Sequence, residues 1–216
     1  MLFKSRFHAF LSLAITLAVA TSAPLWSQSR SIYGSGVDEA AVLVRLVDAG
    51  APANTRMRIG PLTLTATGPG SVTPYRPTVA DIYTLSYGGK RYEFMPESGG
   101  YYSIVATAKT LFVFTDAKHL DPARCQLYFY NASATGDLEL KTADGSTKVL
   151  GPCAPGSSAQ VAVNPVLVSF ATFSGVKKLG PDLAPRLERG VSFSVFAYDS
   201  SSGTEAFLVK AVVSAE

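Results

Sequence analysis

The sequence predicts an all-β protein: two tandem β-sandwich domains behind a cleaved export signal. Three observations carry that prediction. The 216 residues are 47% hydrophobic and 16% charged, and Tyr 10 and Phe 12 stand beside Gly 18 and Pro 13. That mixture favours strands and turns over helices and excludes disorder over most of the chain. After residue 30, short β-type runs alternate with turn signals at the spacing of sandwich strands. No segment sustains a long 3.6-residue period.

The elements follow in order. Residues 41–47 form an apolar run rich in Val, interrupted by Arg45. Val42, Val44 and Val47 make it a strand although its length suits a helix. Thr55 to Ile59 and Leu62 to Thr65 alternate, with Arg56 and Arg58 on one face. Gly68-Pro69-Gly70 and Gly88-Gly89 are breaks of the kind that join strands. Tyr101 to Ala106 and Thr110 to Thr115 are two further strands. Residues 116–124 are polar and lack strand character, so the N-terminal sandwich is placed at 31–117, a linker at 118–123 and the C-terminal sandwich at 124–216. Beyond it, Cys125 to Asn131 is a strand, and Asp144-Gly145 between alternating runs marks a hairpin. Val166 to Phe173, Val191 to Tyr198 and Ala206 to Val213 complete about seven strands on each side of the linker.

Residues 1–23 read as a secretory signal peptide. Lys4 and Arg6 precede an unbroken run of apolar and small residues from Ala9 to Ala20, shorter than the ~20 residues of a membrane span. Cleavage is expected after Ala20 or Ala23. The formal net charge of +3 then loses its two signal-peptide cations. A near-neutral mature chain does not suit a nucleic-acid binder. In an exported protein the two cysteines, Cys125 and Cys153, are expected to form a disulfide, worth roughly 3–4 kcal/mol in the chain-entropy account.

The residues offer little catalytic or metal-binding chemistry. His119 is the one histidine after the signal segment, in Asp116-Ala-Lys-His119. This matches the Asp-x-x-His block of SGNH-type esterases and acetyltransferases, but a Gly-Asp-Ser nucleophile block and a Gly-x-Ser-x-Gly elbow are missing. His119 is therefore read as a solvated linker residue. The acids are scattered, and no cluster suits a metal or cofactor. Tyr83, Tyr87, Tyr92, Tyr101 and Tyr102, near Lys90 and Arg91, suggest a platform for an acidic sugar polymer, although strand aromatics belong more often to the core. Arg45, Arg56 and Arg58 suggest a basic face. Asn131-Ala-Ser133 matches a glycosylation acceptor and is read as a chance match.

Several blocks in order resemble one family. They are Leu138 to Gly145 with Lys148-Val149, Asn164 to Ser169, Lys177-Lys178 and Leu187-Glu-Arg-Gly190. Ile32-Tyr-Gly34, Val44 to Gly50 and Tyr101 to Val105 add weaker matches. The sequence resembles the AlgF family of alginate O-acetylation proteins. The resemblance implies a periplasmic, non-catalytic adaptor for exopolysaccharide O-acetylation, of alginate or of cellulose. Its partners would be a membrane-bound O-acyltransferase and periplasmic SGNH-type acetyltransferases, with the polysaccharide itself a further candidate. It supplies no catalytic, cofactor or metal residues. The alternatives are a carbohydrate-binding module, or an acetylesterase or acetyltransferase using His119.

Overall fold

The computed structural model describes residues 37–52 and 54–214, so the signal segment and its cleavage site lie outside the described residues. Strands account for all the regular structure described. The first half of the chain contributes β1 (Val42–Ala49), β2 (Thr55–Ile59), β3 (Leu62–Ala66), β4 (Arg76–Thr78), β5 (Tyr83–Tyr87), β6 (Lys90–Phe94), β7 (Tyr101–Thr107) and β8 (Leu111–Asp116). The second contributes β9 (Cys125–Ala132), β10 (Leu138–Thr142), β11 (Lys148–Cys153), β12 (Ser158–Val163), β13 (Phe170–Ser174), β14 (Lys177–Leu183), β15 (Ser192–Ser200) and β16 (Gly203–Lys210). The expected strand at 166–173 begins only at Phe170, because Val166 and Leu167 are exposed and lack an apolar surface to cover.

The two halves share one topology. In the first, the strands run β4-β1-β7-β8; in the second, β12-β9-β15-β16. Each order places the fourth, first, seventh and eighth strands of its half side by side. In each, the first and seventh strands pair in parallel and the outer pairings are antiparallel.

These two sheets stack on each other, and each is also covered on its outer face. The first is covered by the hairpins β2-β3 and β5-β6, whose Met57, Ile59, Leu64, Tyr83, Leu85 and Phe94 meet Val42, Val44, Leu46, Tyr102 and Ile104. The second is covered by the sheet β11-β10-β13-β14. Between them lies a third core, where Val47, Ala49, Val105 and Phe114 meet Tyr128, Tyr130, Ala132, Phe196 and Tyr198. The molecule is thus four layers deep. Central strands buried on both faces explain why β1, β7 and β9 are buried at every position, against the alternation of β2.

The hairpin expected at Asp144-Gly145 is present between β10 and β11. Gly145 adopts φ 74°, and Asp144 Oδ1 accepts from the Ser146 amide at 3.0 Å.

The cysteines correct an expectation. Cys125 and Cys153 are free, buried thiols. Cys125 lies on β9 and Cys153 on β11, in facing sheets, and both join the apolar core of the second half. They act there as small hydrophobic residues. Burial pushes the Cys125 thiol up to about 11 and also raises Cys153, so neither is an activated thiolate. Native protein should therefore leave both thiols unlabelled by a maleimide. Protein denatured without reductant should label at both, and a reductant should leave Tm unchanged. Loss of labelling that only a reductant restores would show a disulfide instead.

Candidate functional site

The densest cluster of polar side chains lies between the two central sheets. Arg45 interrupts the apolar run of β1 and is 1% exposed. It does not share a face with Arg56 and Arg58, which point outward from β2, so the three-arginine basic face is not formed. Strand alternation turns Val44 and Leu46 toward the hairpins and sends Arg45 the other way, into the junction. There its Nε donates to Ser103 Oγ at 2.8 Å, and one terminal nitrogen donates to Ser194 Oγ at 2.8 Å and Tyr130 Oη at 3.2 Å. Its guanidinium also lies over the Tyr75 ring, 4.5 Å from the centroid, and 5.3 Å from that of Phe196.

Asp116, the last residue of β8, supplies the opposite charge through bridging hydroxyls. Tyr75 and Ser103 donate to its Oδ2 at 2.6 and 2.7 Å, and Tyr130 donates to its Oδ1 at 2.7 Å. Burial pushes the Asp116 carboxyl above the usual carboxylate range, while Arg45 and the three hydroxyl donors pull it back. Burial likewise holds the Tyr75 and Tyr130 phenols well above their ordinary value, so both stay protonated and able to donate. Tyr130 and Ser194 come from the second half, Arg45, Tyr75, Ser103 and Asp116 from the first. The network is a polar clasp inside an apolar seam.

His119 is another correction. It is 2% exposed rather than solvated. Its Nε2 lies 2.7 Å from the Asp121 carbonyl, which can only accept, so Nε2 carries the proton. In the neutral ring, Nδ1 then accepts from Ser192 Oγ at 3.1 Å. Asp116 and His119 point to different partners and do not form the Asp-His pair that their spacing suggested. Asn131 is fully buried and donates to Gly136 O and Cys153 O, which removes it as a glycosylation acceptor.

The tyrosine platform is not formed either. Tyr83, Tyr101 and Tyr102 are buried, and Tyr87 and Tyr92 pack against the first core. The hydroxyls of Tyr83, Tyr87, Tyr92 and Tyr102 are engaged within the fold, as with Tyr87 donating to Thr107 O. Among the described residues no group of three or more His, Cys, Asp or Glu side chains is placed to hold a metal.

The fold and this junction define a class: stacked β-sandwiches joined by a polar clasp, with the residues that suggested catalysis taken up as structural partners. The family model described as "Alginate O-acetyl transferase AlgF" matches residues 14–194. The chain belongs to the AlgF family. It is 26% identical over 201 residues to alginate biosynthesis protein AlgF of Pseudomonas putida, covering 92% of each chain. It is also 26% identical over 216 residues to the protein of that name from Pseudomonas aeruginosa, covering 98% of each. Among solved structures, the C-terminal domain of AlgF from P. aeruginosa is 34% identical, with 41% of this chain and 98% of that one covered and a TM-score of 0.37.

Sequence reasoning noticed Arg45 but missed its role. The available signal was a lone cation inside an otherwise apolar strand, which demands a buried counter-charge. Replacing Arg45 by Met should cost about 3–5 kcal/mol in urea denaturation, because Asp116 is left buried without its cation. The Arg45→Met/Asp116→Leu double variant should recover most of that loss. Asp116 also has a pH signature. Its pKa is raised from 3.8, so its contribution to stability is complete below that pH and is lost as pH rises through the folded-state value. Asp116→Asn should remove that downward slope from the stability-against-pH curve.

Proposed function

We propose that this chain is a periplasmic adaptor required for the O-acetylation of alginate. It would hold a membrane-bound O-acyltransferase and SGNH-type acetyltransferases in one assembly. The observation that carries this reading is the family match across residues 14–194, together with relatives named alginate biosynthesis protein AlgF over nearly their full length. The architecture supports it. Four layers at about 10 Å per packing step separate the two outer faces by roughly 30 Å. The clasp and the seam core hold that separation against bending, which suits a spacer with one partner on each face.

A second reading has one observation in its favour. Ser192 Oγ and His119 Nδ1 are in hydrogen-bond contact, as in nucleophile–base pairs, and the family description names a transferase. Against it, both side chains are buried, and Nε2 donates to a backbone carbonyl in place of a carboxylate.

The decisive measurement is the acetyl content of alginate secreted by a deletion strain complemented in trans. His119→Gln retains an amide donor for the Asp121 carbonyl and removes the imidazole base. Wild type and His119→Gln should restore acetylation equally. Restoration by wild type alone, with the variant folded and exported, would favour acyl transfer at Ser192. Full acetylation in the uncomplemented deletion strain would end the reading altogether.

A further inference from the structure

The outermost layer of the first half carries an open cleft of about 560 Å³ between the hairpins β2-β3 and β5-β6. Arg56 and Arg58 line one side, and Ile82, Thr84 and Ser86 line the other. The two arginines share a face because they are two residues apart on a strand, while Met57 and Ile59 point inward to the core. Gly60 and the Tyr83 ring border the cleft beneath them. A Cβ added at Gly60, which has φ +57°, would come within 2.9 Å of Tyr83 Cε1, so glycine lets the turn lie against that ring.

The charge of the cleft is unbalanced. Arg58 Nε donates to the Gly60 carbonyl, a neutral group, and no carboxylate lines the walls. On the same outward face of β6, Arg91 stands opposite Ser86 and Glu93 opposite Thr84, which leaves the face net positive. Beside the cations is an aliphatic ledge. Ile82 and Met95 are 66% and 63% exposed. They are neighbours at one end of β5-β6. Tyr83 pairs with Phe94, which sets the adjoining Ile82 and Met95 opposite each other.

We propose that this arginine cleft and its aliphatic ledge are a docking surface for an acidic, aliphatic-containing segment of a protein partner. The proposal rests on the adaptor reading and deepens it by naming the face and the chemistry of what binds there. Unbalanced guanidinium groups select carboxylates and add orientation through paired hydrogen bonds. The exposed aliphatic side chains select a protein over an acidic polysaccharide. The ring that borders the cleft, Tyr83, is buried beneath it and offers no open face for a sugar to stack on. Aliphatic side chains beside paired cations match a peptide that carries Leu or Ile between Asp or Glu residues.

The test uses the mature full-length chain in a surface-binding assay, against the SGNH-type acetyltransferase and the O-acyltransferase of the same system. Arg56→Glu/Arg58→Glu and Ile82→Asp should each weaken binding to one of these partners at least tenfold. Lys177→Glu, at the start of β14, should leave it unchanged, and the wild-type affinity should fall with salt. Wild type and the double charge reversal binding alike would overturn this surface and leave the adaptor reading standing. No binding by wild type to either partner would overturn both. In amide NMR spectra, shifts at Arg56, Arg58 and Ile82 with oligouronate alone would assign the cleft to the polysaccharide instead.

Discussion

The structure depends on a single buried charge pair held through hydroxyl groups. Arg45 has almost no contact with water, and an isolated guanidinium in such a place would be untenable. Asp116 provides the opposite charge; Ser103 and Tyr130 relay hydrogen bonds between the two, and Tyr75 donates to Asp116 while its ring lies under the guanidinium. Two of the groups that satisfy Arg45, Tyr130 and Ser194, belong to the second half of the chain. If the halves separated, Arg45 would lose Tyr130 and Ser194, and Asp116 would lose Tyr130. The clasp therefore ties the two halves together by hydrogen bonds, and the aromatic seam around it supplies the bulk of the attraction. Tyr130 belongs to both parts: its hydroxyl serves Asp116, and its ring stacks on Phe196 at 4.5 Å.

This arrangement turns two similar sandwiches into one stack. The repeated strand order, with its parallel central pair, places a doubly covered sheet at the middle of each half. The hairpins of the first half pair only with themselves and pack through one face, which leaves the other face free to carry Arg56, Arg58 and their aliphatic neighbours. The outer sheet of the second half carries paired, exposed charges such as Lys178 with Asp182. The two ends thus differ in character.

Several residues whose types suggest chemistry are held in buried hydrogen bonds for a common reason. A buried polar group must find a partner, and a strand or turn ending in a core offers few. His119 satisfies Ser192 and the Asp121 carbonyl, Asn131 satisfies two carbonyls, and Asp116 satisfies three hydroxyls. Each is committed on more than one side. The cysteines are the apolar counterpart, filling the core of the second half as thiols.

The sequence by itself determined the all-β class, the position of most strands, the Asp144-Gly145 turn and the outward direction of Arg56 and Arg58. These follow from local rules: β-branched and aromatic propensity, a two-residue period, and the positive φ that glycine allows. The family, too, was legible in short ordered blocks. Only the tertiary structure decided that the two sandwiches stack, that Arg45 faces inward and that Asp116 answers it, because those facts depend on pairs such as Arg45 and Ser194 that are far apart in the chain. It also decided that His119 is buried and that the cysteines remain apart. A polar residue next to a strand reads as solvated until the layer that covers it is known. The one trace of that covering layer in the sequence was the lack of polar–apolar alternation along β1, β7 and β9, which a sheet with one wet face would show.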